Sequence, residues 1–423
     1  MGTSPRLSTW GQTWVRPQDS GLTSPNCSDT PRLHFKEETI MGLRHTSTRL
    51  FLAFFVALTV IAVPACTKKS EEHVIKIGEY GSMTGSEATF GKSTHNGIML
   101  AMDELNTQGG IGGKKIKIVS LDDQGKPEEA ATAVTKLITQ DRVIAILGEV
   151  ASSRSLAGAP IAQRYKIPML SPSSTNPKVT QVGDYIFRTC FIDPFQGEVM
   201  ANFAYNTLKT KRVAILRDVK SDYSVGLAEF FTKTFEKLGG KIAADLSYVA
   251  GDIDFKAQLT SIRTKKADAI FIPGYYTEVG LIARQAKELN IQVPLLGGDG
   301  WDSARLAEIG GAALDNSYFS NHYTSESADP RVVDFVAKYK NVYGEIPDGL
   351  AAMGYDAALV MIHALKTAET LSPEDIRNAL AKTQNFEAVT GVISFNENRD
   401  AVKAAVVLKV KDGKFQYVAT VNP

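Results

Sequence analysis

The chain of 423 residues carries 47 Lys+Arg against 46 Asp+Glu, a formal charge of +1, with 43% hydrophobic and 22% charged residues. This ordinary globular composition excludes collagen-like, low-complexity and wholly disordered chains, and the near-zero charge offers no positive field to a nucleic-acid partner. At roughly 100–200 residues per domain the length predicts two or three domains, and three cysteines cannot build a disulfide-rich scaffold.

Residues 1–40 hold Pro5, Pro17, Pro25 and Pro31 among Ser, Thr, Gly and Asn, with no helical or strand period, and read as a non-globular extension or a misassigned start. From Met41 the pattern changes: Arg44 and Arg49 form a positive segment, and 50–63 is hydrophobic apart from Thr59. Those 14 residues are too few for a bilayer core of about 30 Å, which needs roughly 20 helical residues, so 41–65 is expected to be a signal peptide. Val63-Pro64-Ala65-Cys66 resembles a bacterial lipobox, in which Cys66 is acylated and becomes the new N-terminus. Residues 66–73 then form a polar tether, and Cys190 alone remains in the mature body, where a packed core thiol is expected.

From Val74 onward, short apolar runs alternate with amphipathic stretches. Strands are expected at 74–78, 116–121, 143–147 and 168–170, with helices at 97–106, from Pro127, and near 153–165. The pattern restarts after Asp193, with strands at 213–216, 242–246, 269–272 and 294–296 and helices at 226–238, around 255–264 and at 279–289. After Tyr318 the texture is helical, at 331–343, 350–367 and 373–382, the last N-capped by Ser372. Strands return at 392–395, 404–410 and 415–421, with Asp412-Gly413 as a hairpin signal. Repeated βα units predict an α/β protein of two doubly wound lobes, and a cleft between them is a usual place for a ligand.

Several tempting motifs fail on context. Gly109-Gly110-Ile111-Gly112-Gly113 follows a helix and precedes a strand, the reverse of a phosphate loop, and reads as a helix stop and tight turn. The six histidines, His322 among them, show no metal-ligand spacing. Asp122-Asp123 reads as a solvated turn at a strand end. With no catalytic constellation, no metal and no cofactor motif, an enzyme is not expected. What recurs is hydroxyl-rich loops after strands, 82–85, 151–153 and 171–175, suited with helix N-termini to a carboxylate. The second lobe offers Tyr275 and the acid Asp299 between glycines beside Trp301, suited to an ammonium. One lobe for each charge describes a zwitterionic amino acid.

Over 74–421 the chain resembles the periplasmic branched-chain amino acid binding proteins, the receptor components of ABC transporters. The carriers are Met83-Thr84-Gly85, Gly109-Gly110-Ile111, Ala151-Ser152-Ser153, Ser171 to Thr175, Tyr223-Ser224-Val225-Gly226, Gly274-Tyr275, Gly298-Asp299-Gly300 and Tyr355-Asp356-Ala357, in that order. The resemblance implies a type I periplasmic-binding fold with three interlobe crossings, near 193, 322 and 391. Lobe one is then 74–193 plus 322–391, and lobe two 194–321 plus 392–423. It also implies Ser152 and Thr175 as donors to the ligand carboxylate, the Ser173 carbonyl and Asp299 as acceptors of its ammonium, and Tyr223 and Tyr275 closing over it. Phe90 and Trp301 would contact the ligand side chain, with Tyr355 peripheral. A disulfide found in some relatives is absent, since its places hold Gly125 and Ala151. The implied function is an extracytoplasmic receptor, lipid-anchored and monomeric, that delivers an aliphatic amino acid to an ABC permease. The alternative is a sensor of an amide or small carboxylate on the same fold.

Overall fold

The computed structural model describes residues 74–423. The expectations for the signal peptide at 41–65 and for Cys66 lie outside the described residues.

The first half winds β1 (Ile75–Gly81), α1 (Ala88–Thr107), β2 (Ile116–Asp122), α2 (Pro127–Thr139), β3 (Ile146–Leu147), α3 (Ser152–Tyr165), β4 (Met169–Ser171), α4 (Lys178–Gln181) and β5 (Ile186–Arg188). The strands form an all-parallel sheet of order β2-β1-β3-β4-β5. Every residue of β3, β4 and β5 is buried, the mark of strands covered by helices on both faces. Two apolar clusters flank this sheet, one around Ile77, Ile98 and Leu170 and one around Val134, Ile146 and Met169. The glycine run 109–113 is a tight turn as expected: Gly109, Gly110, Gly112 and Gly113 all have positive φ, and a Cβ on Gly110 would lie 2.1 Å from the Lys114 carbonyl oxygen.

A second run follows: α5 (Asp193–Asn202), β6 (Arg212–Asp218), α6 (Asp222–Lys237), β7 (Lys241–Tyr248), α7 (Lys256–Thr264), β8 (Ala269–Phe271), α8 (Tyr276–Glu288), β9 (Leu295–Gly297), a 3-10 turn at Asp299–Trp301, α9 (Ala304–Gly310) and β10 (Tyr318–Asn321). Then come α10 (Pro330–Tyr343), α11 (Gly349–Thr367), α12 (Pro373–Ala381), β11 (Phe386–Ala388), β12 (Gly391–Ile393), β13 (Ala405–Lys411) and β14 (Lys414–Val421). The second sheet has the order β14-β13-β10-β9-β8-β6-β7, parallel except at β10-β13 and β13-β14. Helix α6 starts at Asp222, four residues before the expected Gly226, because Ser221 caps it by accepting from the Ser224 N–H. Strand β10 is only four residues long and had no pattern to betray it.

Helices α10–α12 return to the first lobe, where Val332, Phe335, Met361 and Ile376 join the Ile77 cluster. The third crossing lies later than the expected 391. Strand β12 pairs with β11 in a separate hairpin, and Ile393, Phe395 and Ala401 pack in the first core, whereas Ala405 packs in the second. The segment before the crossing is held to the first sheet by buried charge: Arg188 Nε lies 2.7 Å from Asp400 Oδ1, and Thr180 Oγ1 donates to the same oxygen at 2.8 Å. A short strand-like run such as 392–395 looks alike whichever lobe it serves, so sequence misplaced this boundary. Among the described residues, no helix is long and apolar enough to cross a membrane.

Candidate functional site

Both sheets point the carboxyl ends of their strands at the space between the lobes, and the loops leaving those ends build one cavity. It is lined by Phe90, Val150, Ser152, Ser173, Thr175 and Leu350 of the first lobe and Tyr223, Tyr275, Asp299 and Gly300 of the second. Hydrogen bonds join the lobes on either side of it. Ser153 Oγ pairs with Asp222 Oδ2 at 2.9 Å and Asn176 Nδ2 donates to the Asp222 carbonyl at 2.8 Å. Thr277 Oγ1 donates to the Ser86 carbonyl at 2.9 Å, and Thr89 Oγ1 meets Ser303 Oγ at 3.0 Å.

The first-lobe wall is a set of donors. Ser152 opens α3, whose first N–H groups have no carbonyl behind them and carry the positive end of the helix dipole. Ser152 Oγ accepts from the Asn176 N–H at 3.2 Å, which ties this turn to the 173–176 loop. Thr175 Oγ1 is buried without a hydrogen-bond partner among the described residues. That loop is held from behind by Arg188, fully buried, whose guanidinium donates to the carbonyls of Ser174 (2.5 Å), Asn176 (2.9 Å) and Pro177 (3.3 Å). Cys190 donates to the Ser174 carbonyl at 3.4 Å, and burial pushes its thiol up to about 12, so it is a packed thiol and not a nucleophile.

The second-lobe wall centres on Asp299. Its Oδ1 accepts from the Tyr223 hydroxyl at 2.9 Å and its Oδ2 lies 3.0 Å from His322 Nε2. Its own N–H donates to Gln196 Oε1 at 2.8 Å. The flanking glycines make room for protein rather than ligand alone: a Cβ on Gly298 would lie 2.5 Å from the Tyr223 hydroxyl oxygen, and one on Gly300 would lie 2.8 Å from the Gly274 carbonyl oxygen. The rings of Tyr223 and Tyr275 stack at 5.3 Å, and Phe90 meets Tyr275 edge-on at 5.4 Å. Phe90, Val150 and Leu350, all from the first lobe, join the apolar cluster of the second.

The structure thus brings Phe90, Ser152, Ser173, Thr175, Tyr223, Tyr275 and Asp299 to one cavity. Trp301 is a correction. Its indole is fully buried beneath β9, where a Cβ on Gly297 would lie 2.1 Å from the ring, and its Nε1 donates to the Ile272 carbonyl at 3.0 Å. It supports the Asp299 turn from below and does not reach the cavity. Tyr355 lies in the first core with its hydroxyl on Glu104 at 2.8 Å, away from the cavity. Sequence reasoning missed Val150, Leu350 and His322. Val150 adjoins a loop already singled out; Leu350 opens a distant helix, and nothing local marks it.

Two buried acid clusters flank the site. Asp123, expected in a solvated turn, is fully buried and accepts from Ser82 Oγ at 3.0 Å and the Gly125 N–H at 2.9 Å. Burial, and then the nearby Glu149, push it up to about 7. Asp193, also fully buried, is pushed up to about 8 by burial, although the Thr175 and Gln196 side chains beside it act to lower it. An acid whose value rises from 3.8 unfolded to about 8 folded keeps its proton in the folded chain where the unfolded chain has lost it. Folding stability therefore falls as pH rises between about 4 and about 8. Thermal unfolding is expected to show a lower midpoint at pH near 8 than near 5, and Asp193→Asn is expected to flatten that decline. An equally steep decline in the variant contradicts this assignment.

Residues 74–414 match the family described as periplasmic binding protein. An amino acid binding protein of Pseudomonas aeruginosa is 30% identical over 376 residues, spanning 88% of this chain and 99% of the relative. Among solved structures, the leucine binding protein LivK from Thermotoga maritima has a TM-score of 0.80 at 43% identity, covering 83% of this chain and 99% of its own. The branched-chain amino acid transporter substrate binding protein LivJ from Streptococcus pneumoniae, in complex with isoleucine, has a TM-score of 0.79 at 36% identity, covering 83% and 100%.

Proposed function

The chain belongs to the periplasmic binding protein family and has its type I fold, and on that premise we propose that it is an extracytoplasmic receptor that captures an aliphatic amino acid between its lobes for an ABC permease. The observation that carries this reading is the charge layout of the cavity. Helix N–H groups and the Thr175 hydroxyl stand on one wall and the Asp299 carboxylate on the other. An α-carboxylate suits the first wall and an α-ammonium the second. Phe90, Val150 and Leu350 leave an apolar side chain as the remaining part of the ligand. The relatives named for leucine and isoleucine support the same ligand class.

An aromatic carboxylate is disfavoured by Asp299, since a ligand without a cation would leave that carboxylate desolvated and unpaired. Calorimetry with leucine, isoleucine, valine and benzoate tests the reading. Binding of at least one of the three amino acids, with benzoate much weaker, is expected; benzoate binding as tightly as the best amino acid overturns it.

The localisation rests on the N-terminal sequence. We propose that Cys66 is acylated and tethers the receptor to the membrane surface, as two or more acyl chains suffice for stable anchoring. Cys66→Ser is expected to move the protein from the membrane fraction to the soluble one or leave it unprocessed. Recovery of the wild-type exported protein with 41–65 intact argues against the tether.

A further inference from the structure

His322 lies just past β10, at the second crossing between the lobes, and its ring is buried. The Nε2 atom faces Asp299 Oδ2 at 3.0 Å, while Nδ1 has no hydrogen-bond partner among the described residues. A neutral imidazole placed so carries its hydrogen on Nε2, because only that nitrogen has an acceptor to donate to. The ring stacks on Phe191 at 3.8 Å and 29°, and Phe191 belongs to the first crossing. The ring therefore cannot swing away from Asp299 without disturbing both connections.

We propose that His322 is a positioning residue, which donates Nε2–H to one oxygen of Asp299 while the Tyr223 hydroxyl donates to the other, so that the remaining lone pairs of the carboxylate are aimed at a ligand ammonium. The inference rests on the amino acid reading given above. Neutrality is part of the role: an imidazolium here would cancel the charge that attracts the ligand. Burial, the largest influence, lowers the proton affinity of His322, Asp299 raises it, and Lys403 lowers it further. Two other buried acids lie near Asp299: burial pushes Asp193 up to about 8, where it keeps its proton at neutral pH, and Asp302 up to about 6. Tyr223, raised well above its usual range by burial and then by Asp299, stays a donor.

A residue that only fills space would affect all ligands alike, whereas one that aims Asp299 affects those with an ammonium most. The probes are leucine and 2-hydroxy-4-methylpentanoate, the same skeleton with a hydroxyl in place of the ammonium, measured by calorimetry. His322→Phe keeps the stacking ring and removes the donor. It is expected to weaken leucine by about tenfold or more, the scale of a hydrogen bond to a charged group, and to weaken the hydroxy acid much less. His322→Gln, whose amide can donate from a similar position, is expected to recover most of the preference for leucine. Equal weakening of both probes, or unchanged preference in His322→Phe, overturns the proposal. A measurement on the unaltered protein covers the case of a variant that does not fold: nitrogen-15 NMR of the His322 ring is expected to show the Nε2–H tautomer, and an Nδ1–H tautomer or an imidazolium at neutral pH overturns it. Wild-type protein that binds none of leucine, isoleucine and valine overturns the functional reading and this inference together. Wild-type binding with the wrong tautomer overturns this inference alone.

Discussion

Asp299→Ala is expected to weaken amino acid binding by about 30-fold or more. Between the lobes a ligand ammonium loses its water, and Asp299 is the carboxylate that lines the cavity. Truncating one member of a desolvated charge pair costs roughly 2–5 kcal/mol, and each 1.4 kcal/mol is about tenfold in dissociation constant. Part of the alanine effect would come from Tyr223 and His322, which both lose their acceptor. Asp299→Asn separates the two contributions. It keeps a side-chain oxygen and the 3-10 turn but removes the charge. Calorimetry with an amino acid ligand decides the matter: near-wild-type affinity for Asp299→Asn sinks the anchor role, and a large loss at unchanged folding supports it.

The largest expected loss of stability is at Arg188, a residue that does not line the cavity. Its guanidinium is fully buried, paired with Asp400 at 2.7 Å, and it donates to three carbonyls of the loop that carries Thr175 and to Thr180 Oγ1. Arg188→Met leaves Asp400 buried and unpaired, together with carbonyls that have lost their donor. Breaking a buried pair on one side costs about 3–5 kcal/mol, because the surviving charge has neither water nor a counter-charge. Urea unfolding should show a loss of that order, and Arg188→Met with Asp400→Leu should recover a good part of it. A loss under about 1 kcal/mol in the single variant contradicts the account. Ligand affinity should fall as well, since the 174–177 backbone is the frame on which Thr175 sits.

The alternation of apolar runs with amphipathic helices was enough to read an α/β protein of two wound lobes, because strand and helix periods are local properties of the chain. The turn at 109–113 was legible for the same reason: glycines between a helix and a strand leave few other conformations. The loops 151–153, 171–175 and 298–300 could be singled out because small, polar and glycine residues after a strand mark a carboxyl-end loop wherever they occur.

What the sequence did not carry was every matter of direction and distance. Trp301 stands two residues from Asp299, yet its indole turns under β9 while the carboxylate turns into the cavity, and adjacency along the chain cannot distinguish the two. Leu350 and His322 reach the site from the start of α11 and the second crossing, at sequence separations where only the packing of the lobes sets who meets whom. The third crossing was misplaced because β12 pairs with β11 rather than with β13, a choice made by the first core and by the Arg188–Asp400 pair. The buried state of Asp123 and Asp193 likewise depends on which helices and strands close over them. Sequence by itself determined the class of fold, the order of its elements and the kinds of residue its loops offer, since these depend on neighbours in the chain. The tertiary structure alone decided which of those residues face one another, because burial, charge and proton affinity are set by neighbours in space.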